Sequence, residues 1–442
     1  MATADRELAA FVAGFDLADL PESVTDHAGL VIADTVGAIV GGSTEAAVSD
    51  YARMRADGPD GTASVLGTEL RTSVAGAADC NGTAGVVLEL DEGHKRSAGH
   101  PSIHVLPAVL SAAEADGGSG SALLEAFVVG YEVAARVGIA TSPLRSIYHM
   151  HGVWPIVGGA AAVARYRGLD ADTTRHAMGI AASDALHTVF DAAIEGATER
   201  NAYAGSANAS AIRAVDRAQA GFTAVEDGLR RHLERASEDG FDADALVDGL
   251  GTRWDVERGY FKRHAACRYT HGALDAIDRV DDGIDPESIE SVRGETYPTA
   301  ARLSEPRPEN ALQAKFSIPF AVATRLVNGH SRKWAFEEGR LTPETFALAD
   351  RVTVASAADL AARVPDARST RVRVRFADGS TIEEEVEHAR GDATDPYSAA
   401  ELEAKFHELV EPVLPGRAKS AWEAFRDPAG QSVAELLAHV TA

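Results

Sequence analysis

From the first residues to about Gly259 the chain is a succession of alanine- and glycine-rich segments whose apolar positions recur with the period of a helix. This pattern limits the fold more than any other feature. Arg6–Phe15, Val24–Val40, Ala47–Arg55, Val74–Leu90, Val105–Ala115, Ala122–Ala140, Ile156–Arg167, Asp172–Ala182 and Asn208–Ala220 read as helices. Short Gly, Pro, Asp and Ser clusters such as Ala115–Ser121 separate them, so this region is expected to be all-helical. The period changes after a further helix at His271–Val280. Ile289–Tyr297 reads as a strand, and Thr370–Phe376 alternates apolar and basic residues before an Asp-Gly turn that returns the chain through Thr381–Glu387. Val352–Ala355 adds a strand, and helices at Ile318–Val327 and Pro343–Leu348 are interleaved. The expectation is a mostly α protein: a large helical region, then a smaller α+β domain over residues 263–392. Helices follow again at Ala399–Val413, capped by Ser398, and at Val433–Ala442. A chain of 442 residues exceeds what one core usually organises, which also favours two domains.

The formal charge of −25 argues against nucleic-acid binding. Lysine occurs only at positions 95, 262, 315, 333, 405 and 419. An acidic surface nearly stripped of lysine fits a halophilic protein, kept soluble by carboxylate hydration and self-repulsion. Such a field repels anionic ligands unless salt screens it, so local cations matter more than net charge. Two distant cysteines, Cys80 and Cys267, exclude a disulfide scaffold and a cysteine-held metal cluster. The N-terminus lacks a basic start followed by an apolar stretch, and no apolar run reads as a membrane span. A cytoplasmic protein is expected.

Three segments concentrate groups that do chemistry. Residues 88–108 carry Glu89, Asp91, Glu92, His94, Lys95, Arg96, His100 and His104 between apolar helices. His149 and His151 precede a small-residue helix whose amide end is suited to meet an anion. Lys262, Arg263, His264, Arg268 and His271 cluster at the expected domain boundary, where pockets favour carboxylate recognition. No HExxH pair or Cys/His spacing indicates a metal site. Each segment alone is equally a solvated loop, a buried histidine or a linker pairing with an acidic surface.

Their joint occurrence, with DTVGAIVGG from Asp34, NGTAGVVLELDE from Asn81, GHPSIHVLPA from Gly99, HMHGVWPIVGGAAA from His149, RNAYAGSANAS from Arg200, KRHAACRYTHGALDA from Lys262 and QAKFSIPFAVA from Gln313, resembles the MmgE/PrpD family over most of the length. That family includes cofactor-independent 2-methylcitrate dehydratase and cis-aconitate decarboxylase. The resemblance implies a helical domain built from both ends, residues 1–262 and 393–442. It implies an α+β lid over 263–392, a homodimer, no cofactor, no metal, and a small carboxylate substrate bound between the domains. It assigns His100, His149, Lys262 and Asp91 to catalysis, and Arg200, Arg263, Cys267, His271, His151 and Glu92 to substrate binding. Two departures stand out: Arg200 where some members carry lysine, and Phe320 where a tyrosine is found. The implied reaction is elimination of water from a 2-methylcitrate-like acid. Lys262, Arg263 and Arg200 hold carboxylates, His149 acts as base, His100 acts as acid, and Asp91 orients a histidine or contacts the substrate. Decarboxylation, isomerisation or epimerisation of a related acid is the rival chemistry, and a catalytically silent scaffold the rival class.

Overall fold

The small-residue segments fold as helices in the computed structural model, which describes residues 3–281 and 283–442. The first nine expected helices are Ala4–Gly14, Glu22–Gly42, Ala46–Arg55, Val74–Val86, Pro101–Asp116, Gly120–Thr141, Ile156–Tyr166, Ala171–Ser183 and Tyr203–Gln219. The protein is mostly α. Small residues matter where helices meet backbone to backbone. A Cβ on Gly130 would lie 2.5 Å from Ala162 Cβ and 2.8 Å from Gly158 O, so Gly120–Thr141 and Ile156–Tyr166 approach only because both carry glycine there.

Two helix ends differ from expectation in ways that shape the site. The helix expected from Val105 begins at Pro101, whose missing N–H would have no intrahelical partner in the first turn. Pro107 therefore lies inside the helix rather than before it, and withholds the N–H that Ile103 O would accept. Asn208 repairs the gap: its Nδ2 donates to Ile103 O at 2.9 Å and its Oδ1 accepts from Ala108 N at 3.0 Å. The helix expected to run to Leu90 stops at Val86, which frees the chain beyond it for the polar loop.

The first 260 residues are not purely helical. Among the described residues two short antiparallel ribbons occur there, the local pair Ala63–Ser64 with Arg71–Thr72 and the distant pair Gly93–His94 with Gly259–Tyr260, in which loop backbone groups are satisfied by pairing. One helix, Glu22–Gly42, does reach the length and apolarity of a membrane span, contrary to expectation. Some 78 % of its apolar window is buried inside the fold.

The sheet has the order Val352–Ser356, Ile289–Thr296, Thr370–Phe376, Thr381–Val386, with the first pair parallel and the rest antiparallel. Alternation sets its faces. Val372, Val374 and Val386 are buried, each contributing about 1.5–3 kcal/mol, while Arg371 faces Glu385 and Arg373 faces Glu383 across the outer pair. Gly379 takes φ +86° at the turn, where a side chain would be strained.

Buried apolar side chains fall into distinct clusters. The largest draws on residues from Leu8 to Phe261 and from Tyr397 to Val440. A second runs from Cys267 to Val386 and adds Ala193. A third, with Leu88, Leu90, Ala265, Phe320 and Leu409, lies beneath the polar loop.

Candidate active site

Helix Val74–Val86 ends with carbonyls that no later N–H of the helix can reach. Cations take their place. Arg200 Nη1 donates to Val86 O at 3.1 Å, Lys315 Nζ to Val87 O at 2.8 Å and Lys405 Nζ to Leu90 O at 2.6 Å. Lys405 also donates to Asp34 at 2.7 Å, tying helices Ala399–Val410 and Glu22–Gly42 to the loop. Lys262, Lys315 and Lys405 are thus buried around one turn of a chain with few lysines.

The loop holds two residues in left-handed backbone, Glu89 at φ +55° and Ala98 at φ +53°. Such conformations cost about 1–3 kcal/mol each and persist where surroundings impose them. Glu89 is fixed by two cations, pairing with Arg200 and, at 3.2 Å, with Lys262 Nζ. Lys262 is delivered by the Gly93–His94 and Gly259–Tyr260 ribbon, and also lies 3.6 Å from Asp91. Burial works against charge on Lys262, but Glu89 and Asp91 outweigh it and hold the ammonium above its usual range. Lys262 is therefore a fixed cation and not a base. Burial likewise opposes ionisation of Asp91, and His100 with Lys262 outweighs it, keeping the carboxyl well below the usual range.

His100 closes the loop. Its Nδ1 lies 2.7 Å from Glu92 O and 3.0 Å from Asp91 Oδ2, both acceptors, so Nδ1 carries the proton and Nε2 the lone pair. His151 stacks against both His100 and His149, with ring centroids 5.1 and 4.7 Å away. Arg200 sets the tautomers behind them. It donates to His151 Nε2 at 3.1 Å, so His151 Nδ1–H donates to His104 Nε2 at 3.3 Å, and His104 Nδ1–H to His100 O at 2.8 Å. His149 Nδ1 accepts from His151 N–H at 3.2 Å, so neutral His149 keeps its proton on Nε2. Burial first, and the Arg200 charge second, press His149 and His151 well below the usual imidazole range. Burial pushes His104 down to about 4.

His100 and His149 border one cavity together with Glu89, Arg200 and Cys267, walled by Phe190, Phe316, Tyr260 and Tyr269. Within it one imidazole presents a lone pair and the other an N–H. Most residues that line this cavity lie in the motifs that carry the family resemblance; Ala98, Phe190, Tyr260 and Arg368 lie outside them. The MmgE/PrpD N-terminal domain matches residues 6–235, and the MmgE/PrpD C-terminal domain matches 264–427.

The chain belongs to the MmgE/PrpD family. It is 26 % identical to a cis-aconitate decarboxylase of Aspergillus terreus, over 84 % of this chain and 82 % of that one. It is 27 % identical to the cis-aconitate decarboxylase-like protein oryM of Aspergillus oryzae, over 92 % and 90 %. The cis-aconitate decarboxylase of Homo sapiens is 26 % identical, over 91 % and 86 %.

The other residues that the MmgE/PrpD resemblance singles out are distributed unevenly. Asp91 is fully buried against His100, and Lys262 lies beneath the carboxylates rather than in the cavity wall. His151 sits behind the two exposed-edge histidines, fully enclosed. Glu92 accepts from the Tyr131 hydroxyl and from Ser102 N, and burial pushes it up to about 8. Arg263 turns away, stacking on Tyr397 near Glu401. His271 is saturated by Arg268 and Ala266 O. Cys267 does face the cavity, but burial pushes its thiol up to about 12, which rules it out as a thiolate at neutral pH. Phe320 is fully buried among Phe336 and Phe346, away from the cavity. Glu89, Tyr260, Tyr269 and Arg368 line the site without having been singled out as site residues. Glu89 and Tyr269 lie inside the quoted motifs, so position in the motif was the available signal.

Asp91, His100 and His151 bring one ligand atom each within 4.8 Å of one another, a donor set of the kind that holds a metal ion. Lys262 already faces that carboxylate, and Arg200 and His104 already use both His151 nitrogens. An ion there would displace these contacts and sit beside two fixed cations.

Proposed function

We propose that the protein is a lyase for small polycarboxylates that generates a carbanion beside a substrate carboxylate, with hydro-lyase chemistry on a 2-methylcitrate-like acid. The carrying observation is the pair of opposite tautomers, His100 with a bare Nε2 and His149 with Nε2–H, on one cavity. The roles are the reverse of those expected from sequence. His100 Nε2 removes the proton next to a carboxylate, and Asp91 stabilises the imidazolium that forms. The electron pair becomes the new C=C bond as the C–O bond breaks. His149 Nε2–H gives its proton to the departing hydroxyl, so that water leaves and an imidazolate remains, stabilised by the His151 N–H on Nδ1 and by the nearby Arg200 charge; the proton taken up by His100 then returns to His149 through solvent, which restores both neutral rings. Lys262 acts through Asp91 and Glu89, which makes it a positioning residue. In this reading segment 263–392 serves as a lid on the domain formed by 1–262 and 393–442, the protein works as a cytoplasmic homodimer, and no cofactor takes part.

A second reading is supported by the relatives, which carry the name cis-aconitate decarboxylase. Loss of carbon dioxide from a cis-aconitate-like acid needs a proton donor for the resulting carbanion, and His149 Nε2–H suits that step without a base. The two readings separate by product. Purified protein in high salt is incubated with 2-methylcitrate, citrate and cis-aconitate and followed by NMR. A new alkene with all carboxylates retained is expected; carbon dioxide release instead selects the second reading. Turnover of none of these acids, with His100 and His149 intact, would sink the lyase proposal.

A further inference from the structure

The cations of the catalytic cluster are already matched. Arg200 pairs with Glu89, and Lys262 lies against Glu89 and Asp91, so two positive groups face two negative ones. With the buried histidines neutral, nothing in this cluster is left to balance a substrate bearing two or three carboxylates. In a molecule of charge −25 that charge must be supplied nearby.

Two arginines on the cavity rim meet the need. Arg268, the first residue of helix Arg268–Val280, uses its guanidinium on His271 Nδ1, Arg390 O and Ala389 O, and stacks at 4.5 Å on Tyr260. Arg368 donates to Lys95 O at 2.7 Å and stacks at 5.6 Å over Tyr269. Among the described residues, neither has a carboxylate in ion-pair contact. Both also border a neighbouring cavity. There Lys95 is matched by Asp392 at 3.4 Å, while His388 Nδ1 is buried without a partner. Aromatic stacking fixes both guanidinium planes, and a planar fork on a rigid ring suits two-point recognition of a carboxylate.

We propose that Arg268 and Arg368 form the carboxylate clamp of the site, and that Arg368 receives the third carboxylate of a tricarboxylate at the junction of the two cavities. The clamp rests on the carboxylate-lyase reading above. It makes the protein selective for tricarboxylates over shorter dicarboxylates. Binding of tricarballylate, which has neither hydroxyl nor alkene to react, is compared with binding of succinate by calorimetry, on the full-length protein and on Arg368→Gln and Arg368→Lys. Glutamine retains a donor for Lys95 O, and unliganded melting temperatures check the fold. In Arg368→Gln, tricarballylate is expected to bind about 10- to 100-fold more weakly, while succinate changes less than about threefold; Arg368→Lys recovers part of the loss. Equal tricarballylate affinity in the unsubstituted protein and Arg368→Gln overturns the clamp and leaves the lyase reading standing. Failure of the unsubstituted protein to bind either acid overturns both.

Discussion

Asp91 faces Lys262 at 3.6 Å on one side and His100 Nδ1 at 3.0 Å on the other, wholly out of solvent. Its charge does two things: it locks the proton of His100 on Nδ1 and favours the imidazolium once Nε2 has taken a proton. Asp91→Asn keeps the volume and removes the charge, and the amide can turn either its oxygen or its N–H toward the ring. We expect kcat to fall about 10²- to 10⁴-fold with KM little changed, measured on whichever acid the product screen selects. A variant within twofold of the unsubstituted protein would remove His100 from the role of base. Arg200 acts at the same scale but further back. Its fork reaches Val86 O, His151 Nε2 and Glu89 at once, so a lysine there would not reproduce the tautomer chain although it keeps the charge.

Helix Pro101–Asp116 carries His100 at its cap and His104 on its first turn, so its stability sets the site's geometry. Its weak point is Pro107, and Asn208 on Tyr203–Gln219 covers it with two side-chain bonds. Asn208→Ala removes the bonds to Ile103 O and Ala108 N, at about 1–3 kcal/mol for a buried group that loses its partner. The denaturant midpoint should drop accordingly, and adding Pro107→Ala should recover part of the loss by restoring the N–H that Ile103 O lacks; strict additivity of the two changes would refute the pairing. The helices and the Asp-Gly hairpin were legible because local periodicity and turn chemistry determine them. His100, His149 and Lys262 were legible because motifs carried them. What could not be read was which cations face the cavity. Arg263 and Arg268 lie on the same short segment, yet only Arg268 borders it, and Arg368 comes from a strand approach a hundred residues away. Likewise Lys315 caps a distant helix end at Val87 O and Lys405 holds the loop beyond it at Leu90 O, relations visible only once the chain has folded.

At the scale of the whole molecule, two sets of buried titratable groups have opposite pH dependence. His104, His149, His151 and His271 are held neutral by burial, with His104 at about 4. As pH falls below about 6.5 the unfolded chain takes up protons on these rings while the folded one does not, so stability is lost. His104 alone accounts for about 3 kcal/mol between pH 6.5 and 4. Burial raises Glu92 to about 8 and Glu132 to about 7, and these groups act the other way. Their stabilisation is fully present below the unfolded value near 4.5 and disappears as pH climbs through the folded values, about 2 kcal/mol for Glu92 between pH 6.5 and 8. Of these two sets, the four histidines outweigh the two glutamates below pH 6.5, and above it the glutamates act alone. Stability should therefore peak near pH 6.5 and fall on both sides. The surface adds a term of another kind, since the self-repulsion of a −25 charge is relieved by salt. Buried groups are screened far less than surface ones, so raising the salt should lift the whole profile and leave the position of its maximum in place. Denaturation measured across pH 4–8 at low and high salt tests both statements, and a maximum that moves with ionic strength would assign the pH dependence to the surface instead of the buried site.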